Sequence, residues 1–257
     1  MLNYRNTNSF FGVLVAVLLL LDLLYSLTPL IYTGVVFLYL VVVTFGSFVL
    51  SAQFFVPVKF KGNVSSGAIA ITFDDGPVPG YTEKILKILD SHKVTAAFFC
   101  IGHRINDHSA LVKQIHNAGH LIGNHSYWHK YTFDLQRTET IELELNHTNT
   151  AIQKAIGLWP NFFRPPFGVT NPMVARAIKR GGYKTIGWSL RSFDTVSRNR
   201  KVLLKRLTLS VKAGDIILFH DYCSLTLEVL PEFLDFISDS GLKILRVDEL
   251  LDEKAYS

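Results

Sequence analysis

The stretch Ala68-Ile-Ala-Ile-Thr-Phe-Asp-Asp-Gly-Pro77 decides the fold. Its first six residues form a short apolar run with β-branched side chains, as in a strand buried on both faces. The Asp-Gly-Pro turn that follows stops the run. Downstream the same alternation repeats. Thr82 to Ser91 sets Ile85, Leu86 and Leu89 on one helical face. Thr95–Ile101 reads as a second strand and Ser109–Ala118 as a second helix. Strand His120–Gly123 precedes a long helix from about Asp134 to Ile156. Strand runs at Asn161–Arg164, Lys184–Ser189 and Asp215–Phe219 are separated or followed by helices Pro172–Arg180, Lys201–Val211 and Thr226–Ser238. Leu242–Val247 closes the series. Uninterrupted strand–helix alternation predicts an α/β fold with a mainly parallel sheet, curled into a barrel rather than split into domains.

Upstream the chain changes character. Residues 1–57 hold one base, Arg5, and one acid, Asp22, so the formal net charge of +5 belongs to residues 58–257. From Phe10 to Val56 the chain is almost continuously apolar. As one helix this run would measure roughly 70 Å, against a hydrocarbon core of ~30 Å. Two membrane spans fit better, 10–28 and 30–50, broken at Ser26-Leu27-Thr28-Pro29. A cleaved signal peptide fits poorly, because the apolar run is too long and lacks a small-residue cleavage site. A single span with a re-entrant or interfacial helix is the other possibility. Asp22, expensive inside a span, is expected to face the partner helix or the interface. Residues 58–66 read as a linker and 67–257 as one catalytic-size domain.

With 49% hydrophobic and 18% charged residues, the chain is neither disordered nor fibrous. Cys100 and Cys223 form no disulfide framework and are expected as free thiols. Sequons begin at Asn63, Asn124 and Asn146, but such matches arise often by chance. No nucleic-acid partner and no obligate protein partner is expected.

Polar residues at strand C-terminal ends are where α/β proteins place their chemistry. Asp74 and Asp75, adjacent at such an end, repel each other unless a cation or proton lies between them. Alone, the pair is also an ordinary Asp-Gly turn. His125 and His129, spaced i and i+4, would face the same way on a helical turn and can grip one metal. Alone, they are equally a surface pair. Two histidines and a carboxylate make the ligand set of a catalytic zinc or non-haem iron site. The other Asp is then free as general base and His220 as general acid. Arg164, before Pro165-Pro-Phe-Gly168, can hold the base ionised or simply brace the turn, and Gly168 lets backbone approach a substrate.

The ordered set Thr72-Phe-Asp-Asp-Gly-Pro77, His125-Ser-x-x-His129, Arg164-Pro-Pro-Phe-Gly168, Trp188 to Asp194 and Leu218-Phe-His220 resembles the polysaccharide deacetylase family, the NodB-homology domain of carbohydrate esterase family four. The match spans about residues 66–250. It implies a distorted (β/α) barrel and metal-dependent removal of an N-acyl (acetyl or formyl) or O-acetyl group from a saccharide. By resemblance Asp74 is the base, and Asp75, His125 and His129 hold one divalent metal, zinc, with cobalt, nickel or iron as substitutes. Arg164 partners Asp74, His220 protonates the leaving amine, and Asp194 tunes His220. The Phe167 amide helps hold the oxyanion and Leu218 lines the acyl pocket. The fourth motif departs from the family's Asp-x-x-Asp-Trp, reading Arg191-Ser-Phe-Asp194-Thr195, so the acyl or sugar subsite must differ. An inactive carbohydrate-binding module on the same fold is the rival reading. Bases flank the hairpin at Arg5, Lys59 and Lys61 and its connection has none. The positive-inside rule then places the domain on the cytoplasmic side of a bacterial inner membrane, with export as the alternative.

Overall fold

The computed structural model describes residues 2–257. Two apolar helices come first, α1 (Tyr4–Tyr25) and α2 (Pro29–Phe48), both long and apolar enough to cross a bilayer. α1 starts upstream of the expected span because Asn3 caps it, its carboxamide accepting the Asn6 amide at 2.9 Å, while α2 nearly coincides with its expected span. Ser26, left-handed, ends α1, and Asp22 Oδ1 accepts the Leu27 amide at 2.5 Å. The single acid of the segment thus satisfies the turn between the helices. Pro29 opens α2, where its missing N–H is not needed. Between the helices, the Tyr39 hydroxyl donates to Asn8 Oδ1 and Phe11 packs edge-on against Tyr39.

The sheet is built from β1 (Val58–Lys59), β2 (Ala68–Asp74), β3 (Ala97–Cys100), β4 (Leu121–Asn124) and β5 (Phe162–Phe163). It continues with β6 (Lys184–Ile186), β7 (Leu190–Arg191), β8 (Ile216–His220) and β9 (Lys243–Ile244). The helices between them are α3 (Thr82–Ser91), α4 (Gly102–Asp107), α5 (Ser109–Asn117), α6 (Thr138–Ile156), α7 (Pro172–Arg180), α8 (Arg200–Ser210), α9 (Ser224–Asp239) and α10 (Val247–Leu251). Every strand pairing is parallel. The order is β1-β6-β5-β4-β3-β2-β8-β7, with β9 beside β2.

That order forces curvature. β6 and β7 stand six strand spacings apart, about 29 Å if the sheet were flat. Only Gly187, Trp188 and Ser189 join them, a reach of roughly 14 Å from Ile186 to Leu190. The sheet therefore curls into an open barrel. At this closure the Gly187 amide donates to Lys59 O at 2.9 Å and the Ser189 amide to Ile216 O at 3.0 Å.

Side-chain parity then divides the strands. Ile69, Ile71, Phe73, Phe98, Ile122, Ile217 and Phe219 pack outward with helix residues such as Ile85, Leu89, Ile152 and Phe233. Ala68, Ala70, Ala97, Phe99, Leu121 and Ile216 form a separate inner cluster. By the same alternation Thr72, Asp74, Leu218 and His220 continue the inward rows toward the strand ends. Gly123 sits inside because a Cβ there would lie 2.6 Å from the Phe99 ring.

Several expected elements change length. The helix expected from Asp134 begins at Thr138, after a single turn at Phe133–Leu135 and extended Gln136 and Arg137. The run Lys184–Ser189 breaks at Gly187, where a Cβ would meet Val58 at 2.9 Å. Leu242–Val247 is a two-residue strand, and Arg246 caps α10 as its amide reaches Glu249 Oε2. Helix α4 has no counterpart in the sequence reading, since Gly-His-Arg-Ile-Asn-Asp carries one apolar residue. Within 58–66, Val58 and Lys59 pair with Thr185 and Ile186. Cys100 and Cys223 are free.

Phe73 stacks on Phe98 at 4.9 Å and Phe219 at 5.9 Å, joining three central strands. Phe73→Ala is expected to destabilise the protein by about 3–5 kcal/mol through the cavity it leaves. Denaturant unfolding followed by near-UV circular dichroism would measure this, and a loss below about 1 kcal/mol would show that the outer core repacks freely.

Candidate active site

The C-terminal ends of β2, β4, β5 and β8 meet at a cleft of about 200 Å³. Asp74, Asp75, His125, His129, Phe167, Leu218 and His220 all line it, with Gly168, Trp188, Arg191, Thr195 and Tyr222. A larger groove of about 940 Å³ lies elsewhere and holds none of these groups. The candidate residues therefore gather in the smaller cavity.

β2 ends with Asp74 turned inward, while Asp75 takes a left-handed conformation (φ 77°) that carries its carboxylate toward the histidines. Non-glycine residues avoid that region, and such strain clusters where function requires it. Arg104 steadies the bend by donating to Asp75 O at 2.7 Å.

The two histidines do not share a helical turn, contrary to expectation. They occupy an irregular loop after β4, in which Ser126 (φ 63°) and His129 (φ 51°) are left-handed. Side chains build this loop. Asn124 Oδ1 accepts the Ser126 amide at 2.9 Å, and Ser126 Oγ accepts the His129 amide at 3.1 Å. The buried Glu144 carboxylate accepts the Tyr127 and Trp128 amides at 3.3 and 3.1 Å. The loop brings the two imidazoles to 4.7 Å between ring centres.

Nε2 of His125 and of His129 lie 3.4 and 3.3 Å from Asp75 Oδ1. That oxygen is buried and takes no hydrogen bond. A tetrahedral ion with ligand bonds of ~2.0–2.1 Å sets its donors about 3.3 Å apart, so the three atoms fit one divalent metal. His125 Nδ1 is bound to Arg164 O at 2.8 Å, which leaves Nε2 for the ion. Burial and the neighbouring His125 push His129 down to about 4, so it is neutral at physiological pH. Burial lowers His125, but Asp74 and Asp75 outweigh it and raise the net value. No second cluster of this kind occurs among the described residues.

Behind the cleft stands Arg164, fully buried. Nη1 donates to Asp74 Oδ1 at 2.7 Å and Thr72 Oγ1 at 2.8 Å. Nε and Nη2 donate to Ile186 O at 3.1 Å and Gly187 O at 2.9 Å. Its guanidinium stacks over Phe99, 4.1 Å from the ring centre. The turn after it is strained: Phe167 is left-handed (φ 57°), and a Cβ on Gly168 would strike Trp188 at 2.5 Å. Phe167 is held against His129 and stacks on Tyr131 at 5.2 Å, both rings exposed.

On the opposite wall His220 Nδ1 meets Asp194 Oδ1 at 2.9 Å, leaving Nε2 for the cleft. Asp194 also accepts the His220 amide at 2.7 Å, Thr226 Oγ1 at 2.6 Å and Ser192 Oγ at 2.8 Å. Burial pushes Asp194 up, but the bonds from His220 and Thr226 hold it below the usual carboxylate range. His220 is raised in turn, Asp194 outweighing burial. Thr226 carries no sequence signal; Thr72 and Ser192 enter the sequence reading only as motif positions without a role, and the inward parity of β2 points to Thr72. Asp221 was missed as well. Fully buried and bonded to Thr82 Oγ1 at 2.7 Å, it is pushed by burial up to about 7.

Residues 61–186 match the family model described as polysaccharide deacetylase. The peptidoglycan-N-acetylmuramic acid deacetylase PdaA of Bacillus subtilis is 33% identical over 199 residues, 76% of this chain and 75% of that protein. A peptidoglycan-N-acetylglucosamine deacetylase of Bacillus cereus is 36% identical over 191 residues, 72% of this chain and 89% of that one. Among solved structures, a family-four carbohydrate esterase pseudoenzyme of Bacillus anthracis superposes with a TM-score of 0.71 at 29% identity, covering 77% of this chain and 70% of that one.

Arg164→Ala strips Asp74 of its partner inside the barrel. Breaking one side of a buried ion pair is expected to cost about 3–5 kcal/mol. A thermal melt of the variant beside the wild type tests this, and coincident transitions would show the pair to be dispensable for the fold.

Proposed function

The chain belongs to the polysaccharide deacetylase family, and from that premise we propose that it is a membrane-anchored, metal-dependent deacetylase of an acylated amino sugar. One observation carries the reading: Asp75, His125 and His129 converge on a single point while Asp74 and His220 border the same cleft. The N/O donor set suits zinc, with cobalt, nickel or iron as substitutes.

When bound, a divalent ion here supplies Lewis-acid polarisation of the acyl carbonyl and acidifies water in the cleft. Asp74 takes the proton of the water that attacks the carbonyl carbon, and Arg164 fixes the carboxylate's direction. His220, aligned through Nδ1 by Asp194, returns a proton from Nε2 to the departing nitrogen. The C–N bond breaks, giving a carboxylate and a free amine. The Phe167 amide supports the developing oxyanion, and Leu218 closes the acyl pocket.

A lipid-linked saccharide is the substrate class this reading favours. Arg191 lines the cleft where the family carries an acid, its Nε buried and unpartnered. Such a cation suits a sugar bearing an anionic substituent, such as a phosphate. The exposed Tyr131–Phe167 platform offers a face for a sugar ring. Residues 1–57 serve as the anchor and 67–257 as the catalytic domain. The bond from the Tyr4 amide to Phe54 O supports a hairpin with both ends on one side. Arg5, Lys59 and Lys61 then favour the cytoplasmic side. The second reading, a carbohydrate-binding module without turnover, draws on the likeness to a pseudoenzyme.

Asp74→Asn is expected to keep stoichiometric metal while turnover falls by roughly 10²–10⁴-fold. His125→Ala is expected to lose both. Metal analysis beside amine release from a panel of N-acetylated saccharides tests the pair. Full activity without metal would overturn the ligand set, and metal binding without turnover on any substrate would establish the binding module.

A reporter fused after Ser257 tests the membrane side. A fluorescent protein that folds only in the cytoplasm is expected to shine. Alkaline phosphatase activity instead would place the domain outside, with a wall polymer as substrate.

A further inference from the structure

We propose that the groove between the exit of α2 and helix α7 is a binding site for one anionic phospholipid. This is the largest cavity described above, at about 940 Å³, and it is separate from the catalytic cleft. Its floor is apolar, formed by Phe55, Val58, Ile178 and Tyr183. Its rim is basic. Lys59 and Lys184 share the carboxylate of Glu253, at 2.8 and 2.5 Å, and Lys61 lies 3.6 Å from Asp215. Arg176 and Lys179, exposed on α7, have no carboxylate within ion-pair distance among the described residues. Five cations therefore face two acids, and the two that lack an ion-pair partner stand side by side one helical turn apart.

Position selects the occupant. Gln53 lines the groove five residues after Phe48 ends α2. A second hollow, lined by Tyr4, Arg5, Phe54 and Phe55, adjoins it at the foot of α1. An apolar floor that opens beneath two membrane spans, edged by two bases with no ion-pair partner, of which Arg176 donates only to Thr138 Oγ1 and Met173 Sδ, complements an acyl chain together with a phosphate-bearing headgroup. Arg176 and Lys179 take the phosphate, and Phe55, Val58 and Ile178 take the upper part of the chain.

The inference rests on α1 and α2 being spans but not on the deacetylase chemistry. Its readout is accordingly lipid binding. The full chain is purified in detergent, mixed with equal phosphatidylglycerol and phosphatidylcholine, and examined by native mass spectrometry. The wild type is expected to retain phosphatidylglycerol preferentially as a single adduct. Arg176→Gln with Lys179→Gln is expected to weaken that retention roughly 30-fold, from the contribution of two bases near an anionic headgroup. Lys201→Gln with Lys205→Gln, the same charge removed from exposed positions on α8, is expected to leave it unchanged. Equal retention of the two lipids by the wild type would overturn the site, as would equal losses in both double variants or a groove filled by a second protein copy. Flotation with phosphatidylcholine vesicles reads membrane insertion separately, so a failed groove and failed spans are told apart.

Discussion

A guanidinium inside a barrel must be neutralised and hydrogen-bonded, and the architecture is organised around meeting that demand for Arg164. Its bonds reach β2 through Thr72 and Asp74 and the end of β6 through Ile186 and Gly187. β2 and β6 stand four places apart in the sheet order, and Gly187 opens the short link from β6 to β7 that forces the sheet to curl. Each partner is a polar acceptor that offsets the cost of burying the guanidinium. One buried cation thus joins the closure of the sheet to the orientation of Asp74. Stability and reactivity share a single set of contacts.

The cleft follows from strand parity. The inward rows run from alanines at the barrel bottom to Thr72, Asp74, Leu218 and His220 at the top. Small residues below leave room for Phe99, on which the Arg164 guanidinium lies. Around the rim, Asp75, His129 and Phe167 adopt left-handed backbone, and each contributes to the cleft lining. Side-chain contacts hold these conformations: Ser126 for His129, Trp188 against Gly168, Arg104 on Asp75.

Most of this was legible in the sequence because the signals were local. The parallel α/β order could be read from alternating apolar runs, and the cleft residues from polar groups at strand ends together with the family resemblance. What escaped reading depends on distant contacts. The histidine loop is not helical because Asn124, Ser126 and Glu144 satisfy its amides, and nothing in the His-x-x-x-His spacing reports a carboxylate arriving from α6. Thr226 reaches Asp194 from α9, across 32 residues of chain. Asp221 follows His220 without periodicity or partner to mark it. The groove on α7 forms only when β1 joins β6, a pairing of two residues too short to recognise.

The Thr170 amide donates to Ser47 O at 3.1 Å, tying the loop that follows Phe167 and Gly168 to the last turn of α2. An enzyme on a slack tether sweeps a hemisphere and meets substrates at many heights. With α1 and α2 as spans, this bond and the one from Tyr4 to Phe54 deny that freedom. In the proposed anchored arrangement the catalytic mouth would keep a constant altitude and tilt over the lipid headgroups, travelling only as the hairpin drifts laterally. Selection then has a geometric component: an acyl group is reachable only when its distance from the bilayer matches that altitude, whatever sugar carries it.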